Sequence, residues 1–134
     1  EGFSFRQGMA LVPLDGAKIK KSGKDNKNFS DAGAAKESTV FEAPCEEKEI
    51  TQEMRQLAFD NYETTDDHGM HMTGIVKDQT GKKYYIIKNS WGTSYNDCDG
   101  YFYASEAFVE YKTMDIMLHK DAVPKNIKKK LGIK

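Results

Sequence analysis

The stretch "DDHGMHMTGIVKDQTGKKYYIIKNSWG", Asp66 to Gly92, decides how this chain reads. "MHMTGIV" and "KKYYIIKNSW" are β-forming runs on either side of "DQTG", a turn-rich interruption of the kind that closes a hairpin. Pairing Asp78 with Gly81 across that turn sets Met70 opposite Asn89 and His68 opposite Trp91. Side chains two apart on a strand share a face, so His68 and Asn89 become diagonal neighbours on one face. An amide carbonyl beside an imidazole accepts from one ring nitrogen, fixes the tautomer and leaves the other nitrogen for a nucleophile. Trp91 beside the pair excludes water and strengthens the bond by lowering the local dielectric. A register one residue away brings His71 onto the face of Asn89 instead, and the two-residue period alone does not choose between the histidines.

Composition narrows the classes around this hairpin. A chain of 134 residues is one domain's worth, too short for a two-lobed enzyme with a cleft between its lobes. Lys plus Arg number 20 against 21 Asp plus Glu, a net charge of −1, so overall charge implies no nucleic-acid or membrane partner. The apolar runs are too short for a membrane span, and "EGFSFRQG" lacks the basic-then-apolar layout of a signal peptide. Two cysteines, Cys45 and Cys98, are too few for a disulfide scaffold and lack the spacing of a structural zinc site. His68, His71, Asp66 and Asp67 are sound zinc ligands by type, but on a strand the two histidines point to opposite faces, so no metal site is expected.

Outward from the hairpin, "GFSFRQGMALVP" alternates apolar and polar residues as a short strand or edge segment. Residues 17–38 are charged, Gly-rich and nearly without large apolar side chains, and predict an exposed loop or disordered insertion. "ITQEMRQLAFDNY" places Ile50, Met54, Leu57 and Ala58 at helical spacing after Thr51 as N-cap. "GYFYAS" is a further strand, "SEAFVEYK" a short helix capped by Ser105, and "TMDIMLHK" a strand alternating Met114, Ile116 and Leu118. Pro124 opens a closing helix with Ile127 and Leu131 on one face. The expected fold class is α+β: antiparallel strands with peripheral helices.

"DHGMHMTG" followed by "YYIIKNSWGTSY" and "DGYFYAS" resembles the histidine and asparagine segments of papain-like cysteine peptidases. His68, Gly69 and Gly74 match the histidine segment, Asn89 to Gly92 the "NSWG" motif, and Gly100 and Tyr101 the later "GY". Tyr95 departs from the pattern, standing where many members carry a second Trp, as does a longer loop before Gly100. "EAFVEYKTMDIMLHKDAVP" and "ITQEMRQLAFDNY" are most similar to the bleomycin hydrolase and aminopeptidase C branch. The resemblance implies the antiparallel, barrel-like C-terminal lobe of the fold across residues 1–134. It implies His68 as catalytic base and acid, Asn89 as its orienting partner, Trp91 as their cover, a peptide substrate, no cofactor and a cytoplasmic setting.

The third member of such a site is a thiolate, and neither cysteine suits it. Cys45 precedes Glu46 and Glu47, and Cys98 sits between Asp97 and Asp99, neighbours that disfavour a thiolate. Neither carries the Cys-Trp element with an upstream Gln that marks the nucleophile and oxyanion donor in this family. The expectation is therefore half of a peptidase site, its partner being a missing N-terminal lobe that carries the cysteine. Without that lobe the face bearing Met70, His68 and Trp91 favours a homo-oligomer. The alternative from another class is a non-catalytic, peptide-binding module.

Overall fold

The computed structural model describes residues 2–15, 40–41, 43–66 and 68–133. The predicted insertion at 17–38, and Asp67, lie outside the described residues. The hairpin forms from β3 (His71–Lys77) and β4 (Lys83–Lys88). Its turn differs from the predicted one, because Asp78 N–H donates to Lys82 O at 3.0 Å, pairing Asp78 with Lys82 rather than Gly81. Gly81, at φ 87°, supplies the left-handed residue that a three-residue hairpin loop requires. The Asp78 carboxylate accepts from the Thr80 hydroxyl at 2.7 Å, Thr80 N–H at 2.8 Å and Lys82 N–H at 3.0 Å. These bonds, the Thr80 hydroxyl foremost, hold its carboxyl below the usual carboxylate range.

A second irregularity offsets the first. Gly74 pairs with Ile86 but Met72 with Ile87, so Thr73 is an extra residue in β3, its hydroxyl donating to Ile86 O at 3.1 Å. The bulge cancels the slip introduced at the turn. His71 therefore faces Lys88, the alignment that the Asp78–Gly81 pairing predicted for this end of the hairpin.

β5 (Tyr101–Ser105) pairs antiparallel with β4. The opening stretch forms two strands instead of one, β1 (Gly2–Ser4) and β2 (Met9–Leu11), because Gly8 turns the chain at φ 68°. β2 joins β5 in parallel, which corrects the expectation of a wholly antiparallel sheet; the order is β1-β2-β5-β4-β3. Phe5, Ala10, Ile87, Phe102 and Ala104 form one core cluster, with Leu11, Val40 and Tyr84 forming another.

The helices begin where their caps predict. Thr51 Oγ1 accepts Met54 N–H at 3.2 Å to open α1 (Gln52–Asp60), and Ser105 Oγ accepts Phe108 N–H at 3.1 Å to open α2 (Glu106–Lys112). Phe108 and Val109 of α2 pack on the first core cluster. On α1 Ala58 is buried, but Leu57, whose spacing predicted the same face, is 64 % exposed. Glu47 ties these parts together: its Oε1 accepts Val12 N–H and the Ser105 hydroxyl, both at 2.6 Å, while Lys82 Nζ lies 2.6 Å from Oε2.

The predicted strand "TMDIMLHK" is irregular and exposed. A lone strand leaves its ladder groups unpaired, and no strand lies beside it among the described residues. The closing helix α3 (Lys125–Leu131) starts after Pro124, with Ile127 and Leu131 both exposed.

Candidate active site

Two anchored segments deliver the site's polar groups. After α1 the chain turns at Tyr62, φ 63°, and Thr64 N–H returns to Ala58 O at 2.9 Å. Lys112 of α2 then holds this strap, its Nζ donating to Glu63 O at 2.8 Å and Thr64 Oγ1 at 3.0 Å. His68 follows from that strap. Asn89 leaves the end of β4 with its N–H donated to Gly100 O at 3.1 Å, so its position depends on the loop that returns to β5.

The Asn89 side chain is 5 % exposed and its Oδ1 lies 2.8 Å from His68 Nε2. Ser90 N–H donates to the same atom at 2.8 Å. A backbone N–H can only donate, so that atom is the carbonyl oxygen, and Nε2 must carry the proton that completes the second bond. In the neutral ring Nδ1 is then the unprotonated nitrogen, and among the described residues it has no hydrogen bond. Asn89 Nδ2 is buried without a partner among them.

The His68 ring stacks on Trp91, centroids 5.5 Å apart and planes 21° apart. Trp91 is backed edge-on by Phe5 at 5.1 Å and Phe3 at 6.2 Å, and Phe3 rests in turn on Phe102. With 49 % of its surface exposed, the indole covers the pair from one side only. The structure thus brings His68, Asn89 and Trp91 together, and it leaves His71 on β3 opposite Lys88. Tyr95 projects into solvent.

Neither cysteine joins them. Lys82 Nζ donates to Cys45 O at 2.8 Å, which fixes Cys45 at the turn end of the hairpin. From Lys82 to Asn89 the strand spans roughly 20 Å at about 3.3 Å per residue. Burial raises the Cys45 thiol, with Lys82 opposing and Glu47 adding. The Cys98 thiol packs so closely on Gly8 that a side chain there would collide with Sγ. Burial raises it too, and Asp97 and Asp99 add to the effect.

Three residues that shape the site escaped the sequence reading: Phe3, Phe5 and Asn96. Asn96, 8 % exposed, uses all its side-chain capacity. Nδ2 donates to Phe5 O and to Tyr101 O at 2.9 Å, while Oδ1 accepts Cys98 N–H at 2.7 Å and Gly100 N–H at 2.9 Å. The available signal was "NDCDG", an Asn two and four residues before groups its short side chain can reach.

A sheet that sets a histidine against a buried asparagine under a tryptophan has the layout expected of a papain-like peptidase lobe. The Peptidase C1-like family model matches residues 15–133, nearly the whole chain, and the chain belongs to that family. Over 31 residues it is 45 % identical to cathepsin L1 of Drosophila melanogaster, a match covering 23 % of this chain and 8 % of that protein. The alignment thus takes in a small part of the relative's length.

Proposed function

We propose that this chain is the C-terminal, barrel-like lobe of a papain-like cysteine peptidase, with His68 and Asn89 as two members of a Cys-His-Asn site. The nucleophilic cysteine comes from an N-terminal lobe outside this chain. The observation that carries the reading is the 2.8 Å contact between His68 Nε2 and Asn89 Oδ1, which points Nδ1 away from the asparagine as the nitrogen to meet a thiol. In the intact enzyme the thiolate adds to a peptide carbonyl and imidazolium gives its proton to the departing amine. Water, deprotonated by His68, then releases the acid from the thioester. The segments "EAFVEYKTMDIMLHKDAVP" and "ITQEMRQLAFDNY" favour an aminopeptidase of the bleomycin hydrolase and aminopeptidase C type, acting on peptides from their amino end. The chemistry needs no cofactor.

The 134-residue chain alone is expected to leave aminoacyl-coumarin substrates intact. Joined to an upstream lobe bearing a Gln and a Cys-Trp element, it is expected to cleave them and to lose turnover on His68→Ala. Turnover by the chain alone that survives replacement of both Cys45 and Cys98 and vanishes with His68→Ala would sink the thiol mechanism. An upstream sequence with Ser or Gly at the cysteine's position would favour the peptide-binding module.

A further inference from the structure

We propose that Asn96 is a positioning residue for the His68–Asn89 pair, a role that rests on reading that pair as catalytic. Two separate paths lead from its amide to the site. Through Nδ2 it holds Phe5 O, and the Phe5 ring stands edge-on to Trp91 at 5.1 Å, which stacks on His68. Through Oδ1 it holds Gly100 N–H at 2.9 Å, and Gly100 O accepts the backbone N–H of Asn89 at 3.1 Å. One side chain therefore fixes both the floor under the imidazole's cover and the backbone of its hydrogen-bond partner.

The surrounding chain cannot easily substitute for it. The 92–100 loop contains left-handed residues at Gly92 (φ 79°), Asp99 (φ 53°) and Gly100 (φ 82°). Gly100 packs against the Gly92 carbonyl, so an added Cβ would lie 3.0 Å from that oxygen. Non-glycine residues resist the left-handed region, and such a loop persists only where its surroundings hold it there. The Asn96 oxygen supplies that constraint by accepting two N–H groups of the turn. The amide nitrogen adds what a turn alone does not need, a tie to the N-terminal segment, joined there by Asp97 N–H donating to Arg6 O at 3.2 Å. Asparagine is suited to this double task because it offers two donors and two acceptor sites on one short, planar group.

Trp91 is the single tryptophan, so fluorescence excited at the red edge of indole absorption, where the seven tyrosines absorb little, reports on this ring. Asn96→Asp keeps the acceptors for Cys98 and Gly100 and removes the donors to Phe5 and Tyr101. Asn96→Ser keeps one short acceptor for the turn and cannot reach Phe5. Both are expected to give a folded chain by circular dichroism with a red-shifted Trp91 emission and loss of the nuclear Overhauser contacts between the His68 and Trp91 rings. Phe5→Leu is expected to reproduce the shift, and combining it with Asn96→Asp to add nothing, as for two residues on one path. A purely structural role predicts a lower Tm with emission and ring contacts unchanged well below it, and that result overturns the proposal. Should both Asn96 variants unfold, Asn96→Gln, which keeps the amide on a longer stem, decides: an unchanged Trp91 emission overturns the proposal and a red shift supports it. None of these readouts uses turnover. Retained activity of His68→Ala in the two-lobe enzyme would reject the catalytic reading and leave the geometry of Asn96 standing. In that enzyme Asn96→Asp is expected to lower kcat by about a hundredfold with KM little changed, the cost of a small misplacement.

Discussion

Replacing Asn89 with Ala separates the orienting role of this residue from any contribution to stability. The side chain makes two hydrogen bonds through Oδ1, from His68 Nε2 and Ser90 N–H, both at 2.8 Å. At about 0.5–1.5 kcal/mol net each, their loss costs about 1–3 kcal/mol. The same substitution deletes Nδ2, a buried donor with no partner among the described residues, and removing such a group recovers about 1–3 kcal/mol. The two terms nearly cancel, so the Tm of Asn89→Ala is expected to stay close to that of the parent. The imidazole responds differently. Its Nε2–H tautomer is favoured in the parent by the bond to Oδ1, and losing about 0.5–1.5 kcal/mol of preference changes the tautomer ratio by about 2- to 13-fold. Long-range proton–nitrogen correlation spectra of the neutral ring measure that ratio directly. An unchanged ratio would show that something other than Asn89 sets the His68 tautomer. A large fall in Tm with an unchanged ratio would assign Asn89 to the core.

Glu47→Ala removes one partner of a partly buried ion pair together with two hydrogen bonds to a charged acceptor, from Val12 N–H and the Ser105 hydroxyl, for an expected loss of about 3–5 kcal/mol. At about 2.1 cal/mol/K per residue this lowers Tm by about 10–20 °C; Glu47→Gln, which keeps an acceptor, should cost clearly less, and equal costs would contradict the account. Burial raises both thiols, so iodoacetamide should label Cys45 and Cys98 more slowly than free cysteine at pH 7, with rates that climb as pH rises beyond the ordinary thiol range. Faster labelling than free cysteine at pH 7 would restore one of them as a candidate nucleophile. β3 is an outer strand of the sheet and shows Ile75 at 62 % exposure beside exposed Met72, so the chain alone is expected to self-associate in sedimentation at high concentration and Ile75→Lys to shift it toward monomer. A parent chain that stays monomeric at those concentrations argues against this face as an interface.

The parts of this fold legible in the sequence are those set by neighbours within a few residues. Thr51 and Ser105 sit one position before their helices and bond the N–H groups three residues on; "DQTG" turns the chain through Gly81 N–H donated to Asp78 O, although the hairpin closes one residue further on, at Lys82. The choice between His68 and His71 was of another kind, since it turned on strand register. Two local departures, the Asp78–Lys82 closure and the Thr73 bulge, shift that register in opposite senses. Assuming neither gave the same alignment at His71 as combining both. The parallel pairing of β2 with β5 and the Asn96–Phe5 bond join residues some ninety positions apart, and no local pattern carries such information. "TMDIMLHK" shows the converse. Its alternation is a sound strand signal, but alternation specifies which side chains a strand would bury, while its hydrogen bonds must come from a neighbour. Among the described residues that neighbour is lacking. The same dependence governs the site, where His68 and Asn89 lie on segments that local signals foresee, yet they are held in place by Phe5, Gly100 and Asn96. A substitution at these supporting positions should therefore disturb the pair while leaving every recognisable motif of the sequence intact.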